Sequence, residues 1–438
     1  MRKTKGMKKI EHDIVDISLY REGEERISWA EMRMPVLNLI KERFEKQKPF
    51  NDFRIGCLLH VTAETANLIK TFIAGGASVS VCAANSHSTQ NEVAAALVKN
   101  YGVPVFAIKG ETGDQYDKHV QSVLDFNPNI LIDDGADLTV TLHQRLGILD
   151  KNLKPIKDSK IKTDSGIIGA TEETTTGVIR FKALEKSKLL QLPVVAVNDS
   201  QTKRFFDNRY GTGQSTMEAI VRTTERLIAG KNITVCGYGW CARGIAARAK
   251  GMGAIVTVTE VDPVKALEAT MDGYRVLPVR EAVRNADFVI TSTGDTDVIT
   301  TAHFPLMKDG VIIANAGHFY VEFDYYGLKK MSSKVRQIKP FIEEFTLLNG
   351  KRVYALGEGR LINLVAANGH PADVMDMSFA NQALAAEWLV QKKGKLKTQL
   401  YVVPEKLDKN IASLKLQSMG IRIDKLSAKQ KNYLSSWE

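Results

Sequence analysis

Short apolar runs alternate with amphipathic stretches along most of the chain. From residue 54 the runs "RIGCLLH", "ASVSVCAA", "VPVFAI", "NILIDD" and "PVVAV" predict strands, and helical periodicity over 63–74, 90–100, 114–125 and 174–190 separates them. Near-continuous apolar strands alternating with helices predict a parallel sheet covered on both faces. A second series opens at "ITVCGYG" (233–239) and continues through "AIVTVTE", "YRVLP", "ADFVITST", "GVIIANA" and "RVYAL", the number and spacing of a six-stranded nucleotide-binding sheet. The expected fold class is therefore α/β, with two doubly wound parallel sheets. The first 30 residues read as a helical lead-in, the Lys-rich segment 149–166 as an exposed loop or insertion, and "DVMDMSFANQALAAEWLVQ" (373–391) as an amphipathic helix.

Composition narrows the class. With 438 residues the chain is too long for one ordinary core, and 44% hydrophobic with 25% charged residues is the balance of a soluble globular protein. No apolar run reaches the ~18 residues that would span a bilayer, and the basic start lacks the apolar stretch of a signal peptide. A net charge of +10 raises nucleic acid as a partner, but the lysines are scattered and no aromatics interleave with them, so a solvated surface is expected. Cys57, Cys82, Cys236 and Cys241 form no C-x-x-C pair and read as small core residues in a reducing, cytoplasmic setting.

The chemistry-bearing motifs sit at strand ends. In "ITVCGYGWCARG" Gly237 makes the strand-to-helix turn, Gly239 lets backbone approach a pyrophosphate, Ala242 is small enough for helix–strand packing and Gly244 adds room. Glu260 ends the next strand, where a carboxylate accepts from both ribose hydroxyls and repels a 2′-phosphate, favouring NAD over NADP. The plain alternative is a tight turn that binds nothing. "TSTGDTD" (291–297, with Thr293) and "NAGHFY" (315–320, with Ala316, Gly317 and His318) place small and polar residues at the same edge. In the first half, "CLLHVTAETANL" carries His60, Thr62 and Glu64, which capping alone explains, and "ILIDDGADL" ends on Asp133 and Asp134. "GATEETTTGV" (169–178) offers more donors and acceptors than capping requires, through Glu173 and Thr174, Thr175 and Thr176. "VNDSQTKRFFDNRYG" (197–211) brings together Lys203, Asp207 and Asn208; in a dry cleft, burial is expected to lower the lysine's pKa toward base function.

Taken in order, "CLLHVTAET", "NSHSTQNEVAAAL", "DDGADL", "EETTTGV", "NDSQTKRFFDNRYG", "CGYGWCARG", "TEVDP", "NAGHF" and "EGRLINLVAANGHP" resemble the motifs of the S-adenosylhomocysteine hydrolases, from about residue 19 to about residue 433. The resemblance implies hydrolysis of S-adenosylhomocysteine to adenosine and homocysteine with NAD that stays bound. The 3′-hydroxyl is oxidised, the 4′ proton becomes acidic, homocysteine leaves the 5′ carbon, water adds, and the stored hydride returns. It implies roles by position: Lys203 and Asp207 at the 3′-hydroxyl, Asp134 at the 4′ proton, His60 at the 5′ position, and Glu173 on the ribose. Thr62 and Glu64 would reach the purine, while Ser88, His318 and His370 would line the homocysteine end or its gate. Thr174 to Thr176, Asn208, Gly237, Gly239, Trp240, Cys241, Ala242, Gly244, Glu260, Lys265, Thr293, Ala316, Gly317 and Asn363 would contact NAD. No metal, nucleic acid or membrane partner is implied. The corresponding division is a substrate-binding domain from 1–200 and 370–402, a Rossmann NAD domain over 213–368, and a C-terminal oligomerisation tail over 403–438 in a homotetramer.

The chain departs from the family pattern at several positions. Thr212 replaces a common cysteine, Trp240 and Cys241 a smaller polar pair, Lys265 an asparagine, and Tyr320 an acid after "GHF". The sequence also ends at "LSAKQKNYLSSWE", before a Lys- and Tyr-bearing tail that many members have, so cofactor binding is expected to be looser or differently completed. Three competing readings are an S-inosylhomocysteine hydrolase, a catalytically silent regulatory relative, and an ordinary dehydrogenase that releases NADH. Glu64, accepting from an exocyclic amine, favours adenine over hypoxanthine, although Asn368 replaces a common methionine beside the base.

Overall fold

A computed structural model describes residues 10–156 and 166–437. Among the described residues, fifteen strands form two sheets. The first holds β1 (Arg54–Leu59), β2 (Ser78–Ala83), β3 (Val105–Phe106), β4 (Ile130–Asp133), β5 (Gly169–Glu172) and β6 (Val194–Ala196). The second holds β7 (Asn232–Cys236), β8 (Ile255–Thr259), β9 (Arg275–Val276), β10 (Phe288–Thr291), β11 (Val311–Asn315), β12 (Ser332–Lys339), β13 (Ile342–Leu347) and β14 (Arg352–Leu356). The chain then returns to the first sheet with β15 (Leu400–Val402).

The first sheet has the order β15-β6-β5-β4-β1-β2-β3 and is parallel throughout. Its chain runs outward from β1 through β2 and β3, then re-enters beside β1 at β4, so the order reverses between β1 and β4. The second sheet has the order β12-β13-β14-β11-β10-β7-β8-β9, parallel except for β12-β13-β14, and reverses between β7 and β10. In such sheets a crevice opens at the carboxyl ends where the order reverses. His60 and Asp134 follow β1 and β4; Gly237 and Ser292 follow β7 and β10.

The alternation of apolar runs and helices predicted most of these elements. It gave six strands for the second sheet, which has eight: β12 is mostly polar and exposed, and in β13 the buried Ile342, Phe345 and Leu347 are interrupted by Glu343, Glu344 and Thr346, so neither carries an apolar run. It also missed β5, because "GATE" has no apolar run although all four residues are buried. Helix Ala372–Gln391 is not amphipathic but buried on most of its circumference, packed against helices Pro35–Gln47 and Ala63–Ala74. Several of its polar side chains find partners inside the protein. Asp376 accepts from the amides of Val36 and Leu37, and Asn381 donates to Thr202.

The boundary expected at residue 403 falls within packed structure. Helix Glu405–Ser418 inserts Ile411 into the first core, and Asp408 accepts from the Gln201 and Thr202 amides at the root of the Lys203 segment. Residues 419–437 beyond it are exposed. Of the Lys-rich segment 149–166, residues 151–156 are exposed and 157–165 lie outside the described residues.

Gly244 stands apart from the nucleotide edge. A Cβ there would lie 1.7 Å from the Arg209 carbonyl oxygen, and a Cβ on Gly213 would lie 2.5 Å from the Gly244 carbonyl. This is where helix Trp240–Gly251 presses on the segment that leaves the first unit. Backbone cannot retreat as a side chain can, so Gly244→Ala is expected to cost about 1–3 kcal/mol in urea unfolding, while Gly251→Ala, in open space, stays close to wild type.

Candidate active site

Between the two reversal points lies a cavity of about 540 Å³, walled by residues just past the carboxyl ends of strands from both sheets. On the first-sheet side, His60 follows β1. Its Nδ1 is 2.8 Å from Ser88 Oγ and its Nε2 is 3.4 Å from Asp134 Oδ2. Burial, with His370 nearby, lowers the His60 pKa to about 4, so the ring is neutral around pH 7. Ser88 is not on the wall but stands behind His60, fixing the ring through its hydroxyl. Asp134 Oδ1 is buried without a hydrogen-bond partner, and burial raises the carboxyl's pKa against the pull of His318 and Lys203.

Helix Ala63–Ala74 begins here, with Thr62 capping the Thr65 amide at 3.5 Å. Thr62 and Glu64 both line the cavity beside the apolar Leu364, Met375 and Phe379. Burial raises the Glu64 pKa.

Lys203 is the centre of the site. It ends the short helix Gln201–Lys203, and the following residues, Arg204–Gly211, wind as a π-helix. That wider turn sets Asp207 and Asn208 on either side of the lysine. Lys203 Nζ donates to Asn208 Oδ1 at 2.9 Å and Asn198 Oδ1 at 3.3 Å, and lies 3.7 Å from both Glu173 Oε1 and Asp207 Oδ2. Asp207 is further held by His370 Nδ1 at 2.8 Å and by the Ser378 hydroxyl at 2.7 Å. Gln382 donates to Glu173 Oε2, leaving Oε1 free of hydrogen bonds.

These charges correct one expectation. Burial does pull the Lys203 pKa down, but Asp207, Glu173 and Asp134 outweigh it, and the net shift is upward. Asp207 moves oppositely: burial pushes its pKa up, yet Lys203 and His370 prevail and hold it well below the carboxylate range. Glu173 receives less compensation, and burial raises it to about 8.

On the second-sheet side, Gly237 has φ +96° and a Cβ there would meet the Ser292 carbonyl at 2.8 Å, so the turn requires glycine. Gly239 begins helix Trp240–Gly251 on the cavity wall, with open space where a Cβ would project. Trp240 packs on Phe205, and Cys241 Sγ lies 3.6 Å from Thr212 Oγ1. Ala242 is fully buried behind the turn. Glu260 is occupied with backbone, accepting from the amides of Tyr238, Val261 and Asp262. Lys265, Thr293, Ala316, Gly317 and His318 line the cavity.

Thr174, Thr175 and Thr176 line it from the opposite side, and Asn363 presents an unpartnered, buried Oδ1. Gly239's open space and the Asn363 acceptor fit an extended ligand bearing phosphates and an amide.

Several participants are not singled out by the sequence pattern. Glu322 accepts from the Thr293 amide and hydroxyl and the Gly294 amide. Asn315 fixes the loop after β11 by donating to the Gly317, Phe319 and Gly359 carbonyls. Ser378 and Gln382 come from a helix whose apolar pattern drew attention instead.

A family model described as S-adenosyl-L-homocysteine hydrolase matches residues 11–436. The chain belongs to this family. It is 52% identical to proteins named adenosylhomocysteinase from Aquifex aeolicus and from Saccharolobus solfataricus, in each case over 98% of this chain and 99% of the relative. One from Thermosynechococcus vestitus is also 52% identical, over 98% and 96%.

The charges of this family member's site predict a pH dependence of folding. Glu173, at about 8, and Asp133, at about 7, bind protons more tightly folded than unfolded. Their stabilisation is complete below the ordinary carboxylate range and is lost as pH rises through those values. His60 has the opposite sign, but its contribution is complete above about pH 6.5. The ligand-free protein should therefore melt at a lower temperature at about pH 8.5 than at about pH 6.5, and Glu173→Gln should flatten that slope in scanning calorimetry.

Proposed function

We infer that this protein hydrolyses S-adenosyl-L-homocysteine to adenosine and L-homocysteine, with a tightly bound, internally recycled NAD. The observation that carries this reading is the buried Lys203–Asp207–Glu173–Asn208 cluster at the meeting of the two reversal points. It puts an ammonium and carboxylates where a sugar's hydroxyls can lie between them. Bound NAD would supply reversible hydride acceptance at the 3′ carbon. The residues that would hold it are Gly239, Trp240, Cys241, Lys265 and Thr293 on one side, Thr174–Thr176 on the other, with Asn208 and Asn363.

The chain's own groups divide the proton work. Glu173, with Oε1 unoccupied, accepts from a ribose hydroxyl, and Lys203 Nζ with Asp207 manages the 3′-hydroxyl proton. With a ketone at the 3′ carbon, the 4′ proton is acidic enough for Asp134 Oδ1 to take. With His60 Nδ1 held by Ser88, whose hydroxyl donates to the Asn85 carbonyl, Nε2 is the nitrogen that would exchange a proton with Asp134, 3.4 Å away, and deliver one to the departing sulfur at the 5′ carbon. In the return direction, neutral His60 takes a proton from the attacking water and Asp134 gives one back to the 4′ carbon. Thr62 and Glu64, beside Met375 and Phe379, receive the purine.

The proposed assembly is a homotetramer. In one chain, residues 419–437 leave Ile423, Tyr433 and Leu434 exposed. Among the described residues, no helix is long and apolar enough to cross a membrane.

Purified protein given S-adenosyl-L-homocysteine and NAD should release adenosine and a free thiol without accumulating free NADH. Net NADH in step with turnover would instead identify a dehydrogenase, and a higher kcat/KM for the hypoxanthine thioether would move the substrate to the inosine analogue. Lys203→Met should slow reduction of bound NAD by adenosine at least about a hundredfold. A wild-type burst of absorbance at the NADH wavelength in that variant would remove Lys203 from the role.

A further inference from the structure

Three carboxylates crowd the ends of β4 and β5, and they have different employments. Asp133 is spent on backbone, accepting from the amides of Asp134, Leu138 and Thr139 at 3.1, 3.3 and 2.7 Å. Asp134 keeps one oxygen without a partner. Glu172, fully buried, has no place in the proton work described above, yet it accepts more hydrogen bonds than either. Its Oε1 takes the Gly135 amide at 2.9 Å, the Thr174 amide at 2.8 Å and the Thr174 hydroxyl at 3.0 Å, and its Oε2 takes the Ala136 amide at 3.0 Å.

The loop that Glu172 grips is one that would not hold itself. Gly135 and Ala136 have φ +105° and +68°, the second an uncommon conformation for a residue with a Cβ. From the other side, Arg180 Nη1 donates to the Gly135 carbonyl at 2.5 Å and to Asp137 Oδ1 at 2.6 Å. The residue next to Asp134 is thus clamped at both its amide and its carbonyl. Gly135 also abuts the second sheet: a Cβ there would lie 2.8 Å from His318 Nε2.

Glu172 sits under the first turn of helix Thr175–Lys186, where the amide ends favour a negative charge. The fit there is close, since a Cβ on Gly177 would fall 2.1 Å from the Glu172 carboxyl carbon. One carboxylate therefore joins the threonine turn on one wall of the cavity to the loop that carries Asp134.

We propose that Glu172 and Arg180 are positioning residues that hold the Asp134 carboxylate for proton removal at the 4′ carbon, Glu172 tying that loop to the threonine turn. Because the clamp supplies the loop's order through backbone, the Asp134 carboxylate needs no hydrogen bond of its own to stay in place, and its free oxygen remains available to a carbon-bound proton. The proposal rests on the reading of Asp134 given above.

The test separates the two half-steps. Holoenzyme is incubated with adenosine in heavy water, and two quantities are read: the amplitude of bound-NAD reduction, and deuterium incorporated at the 4′ position of recovered adenosine. Two variants are used. Glu172→Gln keeps the shape but turns amide hydrogens toward backbone N–H groups, and Arg180→Met removes the outer half of the clamp from a partly exposed position. Arg180→Met should slow 4′ exchange about tenfold or more while leaving reduction amplitude, adenosine KM and the NAD Kd measured by calorimetry within about twofold. Glu172→Gln should slow exchange further and also weaken NAD binding, through Thr174. Exchange at the wild-type rate in Arg180→Met overturns the proposal, as does exchange that falls only in parallel with reduction and NAD affinity. If Glu172→Gln does not accumulate as folded protein, Arg180→Met decides alone. A wild-type protein that shows no reduction by adenosine refutes the functional reading itself, and this proposal with it.

Discussion

The ammonium of Lys203 is the charge on which the site depends. Asp134, Glu173 and Asp207 are each at most 5% exposed, and a lone carboxylate in such surroundings costs several kcal/mol. One cation shared among them makes the cluster tenable, and the π-helical turn at Arg204–Gly211 lets Asp207 and Asn208 both reach it. A turn of this kind is rare and holds only where packing supports it. The support is visible on both sides. Asp408 fastens the amides just before Lys203, and the Arg209 carbonyl is seated against Gly244 just after.

The same segment is a crossing between the two units. The chain leaves the first unit near residues 204–213 and returns near 357–371, and the 2.8 Å contact between Asp207 Oδ1 and His370 Nδ1 joins the two crossings at the site itself. His318 adds a second seam by lying against Gly135, so that the loop after β11 meets the loop after β4. Neither sheet owns a complete cavity. The lysine cluster and the His318 seam both lie where the two units meet.

Sequence reading was strong where the physics is local. Apolar runs located both parallel series, because strands buried on two faces have no alternative to being apolar. Most of the expected side chains reach one cavity, because residues just after strand ends share an edge once the sheets are formed. It failed where polarity and burial coincide. "GATE" reads as loop, yet it is a central strand whose glutamate is satisfied by amides brought from a different loop. Ser378, Asn381 and Gln382 lie on a helix that reads as two-faced, and only its enclosure shows that the polar face points at Asp207, Thr202 and Glu173. The lysine's proton affinity was misjudged for a related reason. Burial alone is legible in a sequence, but the sign of the shift depends on three carboxylates from separate segments.

That sign changes how the lysine must be understood. With carboxylates on several sides, Lys203 rests as an ammonium, and an ammonium cannot accept a proton from a sugar hydroxyl. Either its proton must move to a neighbour, or further positive charge must enter the cavity and offset the carboxylates. Glu173 is poorly suited to the first route at neutral pH, because burial holds its pKa at about 8 and the carboxyl already carries a proton. Its Oε1 lies 3.7 Å from Nζ and has no hydrogen bond of its own among the described residues. Asp207, held ionised chiefly by Lys203, anchors the lysine without competing for its proton. The two carboxyls nearest the lysine thus differ in proton affinity, Asp207's held low and Glu173's raised, a division that follows from their unequal environments.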